Sequence, residues 1–370
     1  MNDKLRIGIL GLAGKPIPTI AGDISAPQFV VANLAESLKK IGHKVIVFTG
    51  KDSQVQAEKK SADLDSPWKL FGPENEHPIS FTERKVEFDL ILSQQAITLY
   101  KNGGLDIINS HDIRFSPYLF LEAEVPVLYT PHYELKTRFS SYDQYRYNLM
   151  RNPLFGLANI SRANIQFSEN LGLKIFGYVP NGIDIEKYHF NDQNREGILL
   201  VGRMAAGKKI KEAIEIAKQI GEKIVLIGPP GNKDEDIPYF EDLKKNYLNR
   251  SHVKYLGYLS PEEIIPYYQK AKVLLFPSHS EGLPISILEA MATGLPVVAS
   301  AVGGIPDIIN DKTDGCLLNN DSEWLDKIKL AMSIKNELPR KKIENQFTLE
   351  KSTQRYLEAY EKFINATGKK

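Results

Sequence analysis

Along this chain, short apolar runs closed by Gly, Pro or Asn alternate with longer stretches of helical period, and that alternation demands parallel strands joined by helical crossovers. Strands covered on both faces read as unbroken Val, Ile and Leu runs, as they do here. A first set of strands is expected at Leu5–Leu10, Lys44–Thr49, Asp106–Asn109, Val127–Thr130, Asn164–Phe167 and Phe176–Val179. A second set follows at Gly197–Val201, Ile224–Gly228, Val253–Tyr255, Val273–Pro277, Pro296–Ser300 and Gly315–Leu318. The polar stretch Gly50 to Arg84 reads as a long surface excursion, and VPNGID, Val179 to Asp184, as the joint between the sets. At 370 residues the chain exceeds what one hydrophobic core supports. The expected fold class is α/β: two doubly wound domains, residues 1–180 and 181–350, facing each other across a cleft.

The first strand runs into IGILGLAG, with glycines at Gly8, Gly11 and Gly14. A dinucleotide fingerprint would start a helix at the last glycine and place an acid about 20 residues further on for the ribose. Neither condition holds. Lys15-Pro16-Ile17-Pro18 cannot start a helix, and the second strand, KVIVFTG, ends without a carboxylate. The glycines therefore read as a loop lining a ligand cleft. The next helix is expected at Pro27–Lys40, with Ser25 as N-cap and Pro27 in its first turn.

Lys and Arg total 47 against 46 Asp and Glu, a net charge of +1, so no global field steers the chain toward nucleic acid, and no nucleic-acid motif is present. The pairs Lys39-Lys40, Lys59-Lys60 and Arg84-Lys85 are the local basic patch that an anionic membrane would need. A single cysteine, Cys316, excludes an internal disulfide framework and a thiolate metal cluster and suits a reducing compartment. MNDKLRIGIL lacks a secretory signal's apolar core, and no run approaches the roughly 18 apolar residues of a membrane span. A cytoplasmic protein is expected, at most peripheral on the inner face of a membrane.

Chemistry concentrates in LLFPSHSEGLPISILEAMATGLPVVASAVGGIPDII, Leu274 to Ile309. A buried strand ends, a polar loop carries Glu281-Gly282, and Pro284 opens a helix through Met291 whose unpaired amides suit a phosphate. Helical side chains lean toward the N-terminus, so Glu289 can reach the region that Glu281 occupies. Taken alone, two such glutamates read as a solvated loop residue and an ordinary exposed helix former. Their surroundings set them apart.

The stretch resembles the E-x7-E signature of family-4 retaining glycosyltransferases of the GT-B fold, including its EG, LEAMA-G-PVVAS and GG elements. LLVGRMAAGKK resembles that family's diphosphate-binding segment, with Arg203 and Lys208 on the matching positions. PNGID resembles its interdomain entry, GHKVIVFT the strand after its first helix, and YTPHYE places His132 where the family has a histidine facing the donor sugar. Phe347 to Phe363, FTLEKSTQRYLEAYEKF, resembles the terminal helix that crosses back onto the first domain, which would join residues 351–370 to it. The resemblance implies two Rossmann-like domains, the first binding an acceptor and the second a nucleotide sugar.

The implied activity is transfer of a hexose-type sugar from a nucleoside diphosphate, UDP by family frequency, to a hydroxyl of a saccharide, lipid-linked or protein-linked acceptor. Arg203 and Lys208 would stabilise the departing diphosphate, Glu289 would accept from the ribose hydroxyls, and Glu281 would bind sugar hydroxyls beside the reacting carbon. Gly282, Leu283 and Gly14 would complete the donor site. Transfer would proceed on the front face without a covalent intermediate, a cofactor or a metal, with His132 stabilising the sugar and His111 as the alternative for that role. The acidic triplets Asp63-Leu64-Asp65 and Asp234-Glu235-Asp236 read as solvated loops. In Tyr129 to Met150, dense in aromatics, Tyr133 and Arg138 join His111 as acceptor-binding candidates, unless those aromatics pack inward. Base choice falls to the loops Gly228–Gly231 and Gly257–Ser260. The chain departs from the family pattern at Ser25-Ala26, where relatives have a glycine pair, at Lys209, where a glycine often stands, and at Asp307, where glutamate is commoner. A sugar-nucleotide epimerase of the same fold and a non-catalytic sugar-nucleotide-binding relative remain the alternatives.

Overall fold

The computed structural model of the protein describes residues 4–12, 14–19, 25–71, 80–231 and 234–368, apart from the side chains of Leu70, Arg138 and Asp321. The chain divides into two compact units. One comprises the described residues of Met1–Ile20, Ser25–Asn181 and Leu349–Lys370, and the other is built on Gly182–Thr348.

In the first unit the described strands are β1 Arg6–Leu10, β2 Lys44–Phe48, β3 Glu58–Lys60, β4 Ile107–Ser110, β5 Val127–Tyr129, β6 Phe155–Asn159 and β7 Ile175–Tyr178. They form one parallel sheet in the order β3-β2-β1-β4-β5-β6-β7. The second unit has β8 Ile198–Val201, β9 Ile224–Ile227, β10 Val253–Tyr255, β11 Val273–Phe276, β12 Val297–Ser300 and β13 Cys316–Leu318, parallel in the order β10-β9-β8-β11-β12-β13. Helices on both faces hide the apolar runs, so Ile7, Ile9, Val47 and Ile108 in one sheet and Leu274, Leu275, Val297 and Val298 in the other are fully buried. In each sheet the strand order reverses once, between β1 and β4 and between β8 and β11. Connections leaving the carboxyl ends of those two strands diverge and open a crevice.

Three expectations need correction. Asn164–Phe167 is not a strand but lies in a helix, Arg162–Asn170, because the Ser161 hydroxyl accepts from the Asn164 amide at 3.2 Å and caps it. The strand of that region is β6, FGLAN, whose Gly, Ala and Asn weakened the apolar signal although every residue in it is buried. The excursion from Gly50 to Arg84 is not wholly irregular. It contains the edge strand β3, charged throughout as exposed edges commonly are, the helix Pro67–Phe71, and the start of a helix, Phe81–Lys101, closed by a Ser80–Glu83 capping box. Ser25 does precede the first helix, Ala26–Lys40, but its hydroxyl bonds the Gln28 side chain and caps no amide.

The terminal helix Leu349–Thr367 turns Ser352, Tyr356, Ala359, Tyr360 and Phe363 inward at helical spacing, onto β6 and β7. Phe363 meets Phe176 edge-on at 5.0 Å, and Ala359 packs so closely on Gly177 that a Cβ there would stand 2.7 Å from the alanine methyl. The Tyr360 hydroxyl donates to Asn109 Oδ1 at 2.9 Å, while Asn109 Nδ2 donates to the Leu128 carbonyl and Thr130 Oγ1, both at 3.0 Å. Tyr360→Phe strands that buried amide oxygen, and is expected to lower stability by about 1–3 kcal/mol, read as an earlier urea midpoint for the first unit.

Candidate active site

The crevice of the second unit is lined by the segments that leave β8 and β11. After β8 come Gly202, Arg203 and the buried Met204, then a 3-10 turn, Ala206–Lys208, and the helix Ile210–Gln219. Between turn and helix, Lys209 adopts the left-handed conformation, φ 47°. That conformation costs a non-glycine residue roughly 1–2 kcal/mol. Arg203 lies beside the crevice, half-buried, at the mouth of β8.

The Lys208 ammonium forms an ion pair with the Glu281 carboxylate, and its Nζ stands 5.2 Å from the centre of the Phe276 ring. Both side chains are mostly enclosed, 27% and 14% exposed. The His279 amide donates to the Gly207 carbonyl at 3.0 Å and the Gly304 amide to the Gly282 carbonyl at 2.8 Å, so backbone bonds fix both flanks of Glu281. Gly303, at φ 53°, lies where an added Cβ would strike the Glu281 carbonyl oxygen, so glycine is required by both conformation and contact. Leu283 is buried, and Pro284 begins the helix Ile285–Ala292 without any side-chain cap on its first amides. Those amides therefore keep their capacity for an anion. On the neighbouring rim the Gly228 amide donates to the Gly257 carbonyl at 2.7 Å, joining the two loops expected to read the base.

Glu289 keeps different company. Its Oε1 accepts from Tyr188 at 2.8 Å and its Oε2 from Tyr268 at 2.9 Å. Burial pushes the Glu289 carboxyl up and the two phenols pull it back down, while both phenols are themselves pushed far above their ordinary value and remain donors. Each carboxylate oxygen retains a further lone pair for a hydroxyl. The two glutamates of the motif are thus held by separate partners, Glu281 by a lysine and Glu289 by two tyrosines. Sequence reading did not find Tyr188 and Tyr268, which lie 101 and 21 residues from Glu289 in aromatic-containing segments with no distinctive spacing.

At the first unit's crevice β4 leads directly into His111, whose amide donates to the Leu10 carbonyl at 2.9 Å. His111 Nδ1 and His132 Nε2 are 2.6 Å apart with the rings stacked at 4.9 Å, so the two histidines form one hydrogen-bonded pair instead of competing for a single role. Burial drives His132 down to about 4, and burial with the neighbouring ring drives His111 well below its ordinary value, so both are neutral at pH 7. Beside them Asp112 is gripped by the Arg114 guanidinium, Nε to Oδ1 at 2.9 Å and Nη2 to Oδ2 at 2.6 Å. The loop bearing His132 and Tyr133 is clamped by Asn164, which donates to the Tyr133 carbonyl at 2.9 Å and accepts from the Leu135 amide at 3.0 Å. Gly14 follows β1 at φ 108°. Arg138 ends the 3-10 turn Leu135–Arg138, its side chain outside the described residues.

The aromatics of Tyr129 to Met150 divide. Tyr129 and Tyr147 are core residues, Tyr147 stacking on Phe139 at 6.1 Å, whereas Tyr142 and Tyr145 face outward. Of the basic pairs, Lys39 donates to the Gln56 carbonyl, Lys59 to those of Lys51 and Ser53, and Arg84 pairs with Glu87. In the acidic triplets Asp63 faces Lys51 at 3.4 Å, Asp65 faces Lys69 at 2.7 Å, and Asp236 opens the helix Asp236–Asn246. Among the described residues no three of His, Cys, Asp or Glu gather as metal ligands, and no helix is long and apolar enough to cross a membrane.

Residues 183–348 match the family model described as glycosyl transferases group 1, and residues 28–187 match glycosyltransferase family 4. Among curated relatives, an N,N'-diacetylbacillosaminyl-diphospho-undecaprenol alpha-1,3-N-acetylgalactosaminyltransferase of Campylobacter jejuni is 28% identical over 55% of this chain and 60% of its own. The chain spans 22% to 60% of the length of the curated relatives it matches. Of solved structures, sucrose-phosphate synthase from Thermosynechococcus elongatus superposes with a TM-score of 0.76 at 20% identity, over 98% of this chain and 100% of that one. The Anabaena protein HepE, solved in complex with UDP-glucose, gives 0.70 at 17% identity over 96% and 98%.

Because the folded pKa of His132 lies below the unfolded value of 6.5, the unfolded chain takes up the proton first, and stability is full above pH 6.5 and falls as pH drops toward about 4. The loss is expected to reach up to about 1.4 kcal/mol per pH unit, and denaturant titrations between pH 7 and 4.5 should show a shallower loss in His132→Asn.

Proposed function

The chain belongs to the family-4 glycosyltransferases of GT-B fold, and on that premise we propose that it is a retaining enzyme that transfers a hexose-type sugar from a nucleoside diphosphate to a hydroxyl acceptor. The observation that carries the reading is the Lys208–Glu281 pair, held at the β8–β11 switch point beside the uncapped start of the helix Ile285–Ala292. A cation, a carboxylate and free amides in one crevice suit a ligand that is anionic at one end and rich in hydroxyls at the other. A UDP-glucose complex of a structural neighbour supports a nucleotide-sugar donor, with UDP the nucleotide assigned here.

As the bond from the anomeric carbon to the diphosphate oxygen breaks, negative charge grows on the leaving group. Arg203, Lys208 and the helix amides meet that charge, and donors placed in advance cost no reorganisation at the moment of reaction. Glu281 accepts hydrogen bonds from sugar hydroxyls, and its pairing with Lys208 keeps both side chains extended before the donor arrives. Glu289, oriented by Tyr188 and Tyr268, takes the ribose hydroxyls. The acceptor oxygen bonds the anomeric carbon on the face the diphosphate leaves, and its proton passes to the departing phosphate oxygen. No carboxylate attacks the sugar, in contrast to most retaining hydrolases. Neutral His132, its ring fixed by His111, offers a hydrogen bond to the sugar without adding charge. The first unit supplies the acceptor site, with His111, Tyr133 and Arg138 assigned to it. No cofactor or metal takes part in this scheme. The family matches are to transferases, and no observation favours an epimerase.

A thermal-shift panel of UDP-, GDP- and ADP-sugars, with NADPH as control and chelator present, tests the donor, since a ligand of the native state raises its stability by mass action. A rise with a UDP-sugar that survives chelation is the expected result; a rise only with NADPH would overturn the reading. With the donor known, Glu281→Ala is expected to bind nucleotide normally yet lose at least about 100-fold in transfer rate, and transfer at the parental rate would remove Glu281 from its role. Product NMR is expected to show the donor's anomeric configuration, and an inverted product would reject front-face transfer.

A further inference from the structure

We infer that Ser278 is a further donor-binding residue of the second unit, its hydroxyl reserved for an oxygen of the diphosphate beside Lys208; this rests on the nucleotide-sugar reading above. Ser278 stands two residues past the end of β11 and three before Glu281, outside the E-x7-E spacing. It is 2% exposed, and its Oγ is enclosed without a hydrogen-bond partner among the described residues. A native protein seldom leaves a buried hydroxyl orphaned unless something else completes it. This orphan lies at the crevice and not in the core. Together with Val201, Gly202, Lys208, Phe276 and Pro277, Ser278 lines a cavity of about 10 Å³ at the carboxyl ends of β8 and β11. That is room for one water-sized group.

The surroundings specify the group. The amide of the next residue, His279, donates to the Gly207 carbonyl at 3.0 Å, so the backbone holds Ser278 against the turn that carries Lys208. Lys208 shares the cavity, its Nζ 5.2 Å from the centre of the Phe276 ring that forms another wall. An oxygen placed there meets an ammonium and a hydroxyl, both able to donate. An anionic phosphate oxygen accepts from the two at once, and such charge-assisted bonds are the strong ones. Packing alone does not account for the serine, since alanine would occupy the same place without burying an unsatisfied hydroxyl. The hydroxyl is unsatisfied before the diphosphate arrives and bonded after, so it adds to binding, and its bond strengthens as charge grows on the leaving group.

Calorimetric titration of the full chain with UDP, paired with thermal melts of the unliganded proteins, tests the assignment. Ser278→Ala is expected to bind UDP at least about tenfold more weakly than wild type, the scale of one hydrogen bond to a charged group. Its unliganded melting temperature is expected not to fall, because the variant buries no unsatisfied hydroxyl. Ser278→Cys, of similar volume but only a weak donor, is expected to weaken UDP in the same way, which a loss of packing would not produce. Equal UDP affinity in wild type and Ser278→Ala overturns the assignment and leaves the hydroxyl to a water. A melting temperature that falls along with UDP affinity marks a packing role and overturns it as well. If wild type does not bind UDP, the same comparison is made with GDP and ADP; binding of none of the three rejects the donor reading itself, whereas binding that is indifferent to Ser278 rejects this assignment alone.

Discussion

An all-parallel sheet has few places where a ligand can enter. Its faces are sealed by helices, its edges carry pairing groups, and only where the strand order reverses do adjacent connections run to opposite faces and leave a gap. This chain makes that reversal twice, between β1 and β4 and between β8 and β11. The groups with unusual chemistry follow from it. Lys208 and Glu281 leave the second pair of strands, and Gly14, His111 and Asp112 leave the first.

A crevice walled by buried strands is a poor solvent for charge, and the two units respond differently. In the second unit Lys208 and Glu281 neutralise each other, and the Glu289 carboxylate is satisfied by phenols that cannot ionise. In the first unit the histidines shed their charge and Asp112 keeps its own through Arg114. One crevice is therefore set with a paired cation and carboxylate, the other with two neutral histidines beside an ion-paired aspartate.

Local signals and tertiary context contributed unevenly to what could be read in advance. β10 was legible to the residue and β1, β2, β8, β9, β11 and β12 to within one, because each is an apolar run ended by a turn-forming residue. β6 was missed because FGLAN draws its burial from the helices that cover it and not from its own hydrophobicity, and β3 because a three-residue charged edge has no signature. Helix Arg162–Asn170 was mistaken for a strand since its capping serine and inward-facing Asn164 and Ser168 give no apolar period. The spacing of Glu281 and Glu289 was visible, but not their partners.

The sequence by itself determined the α/β class, the glycine-dependent turns and the placing of Glu281 in a loop ahead of a helix, because these depend on residues within a few positions of one another. Only the tertiary structure decided which charges meet. Lys208 and Glu281 are 73 residues apart, His111 and His132 are 21, and Tyr360 and Asn109 are 251. Sheet order and helix packing create those encounters, and the energy of a charge depends on the neighbours and burial it acquires there, neither of which linear spacing contains.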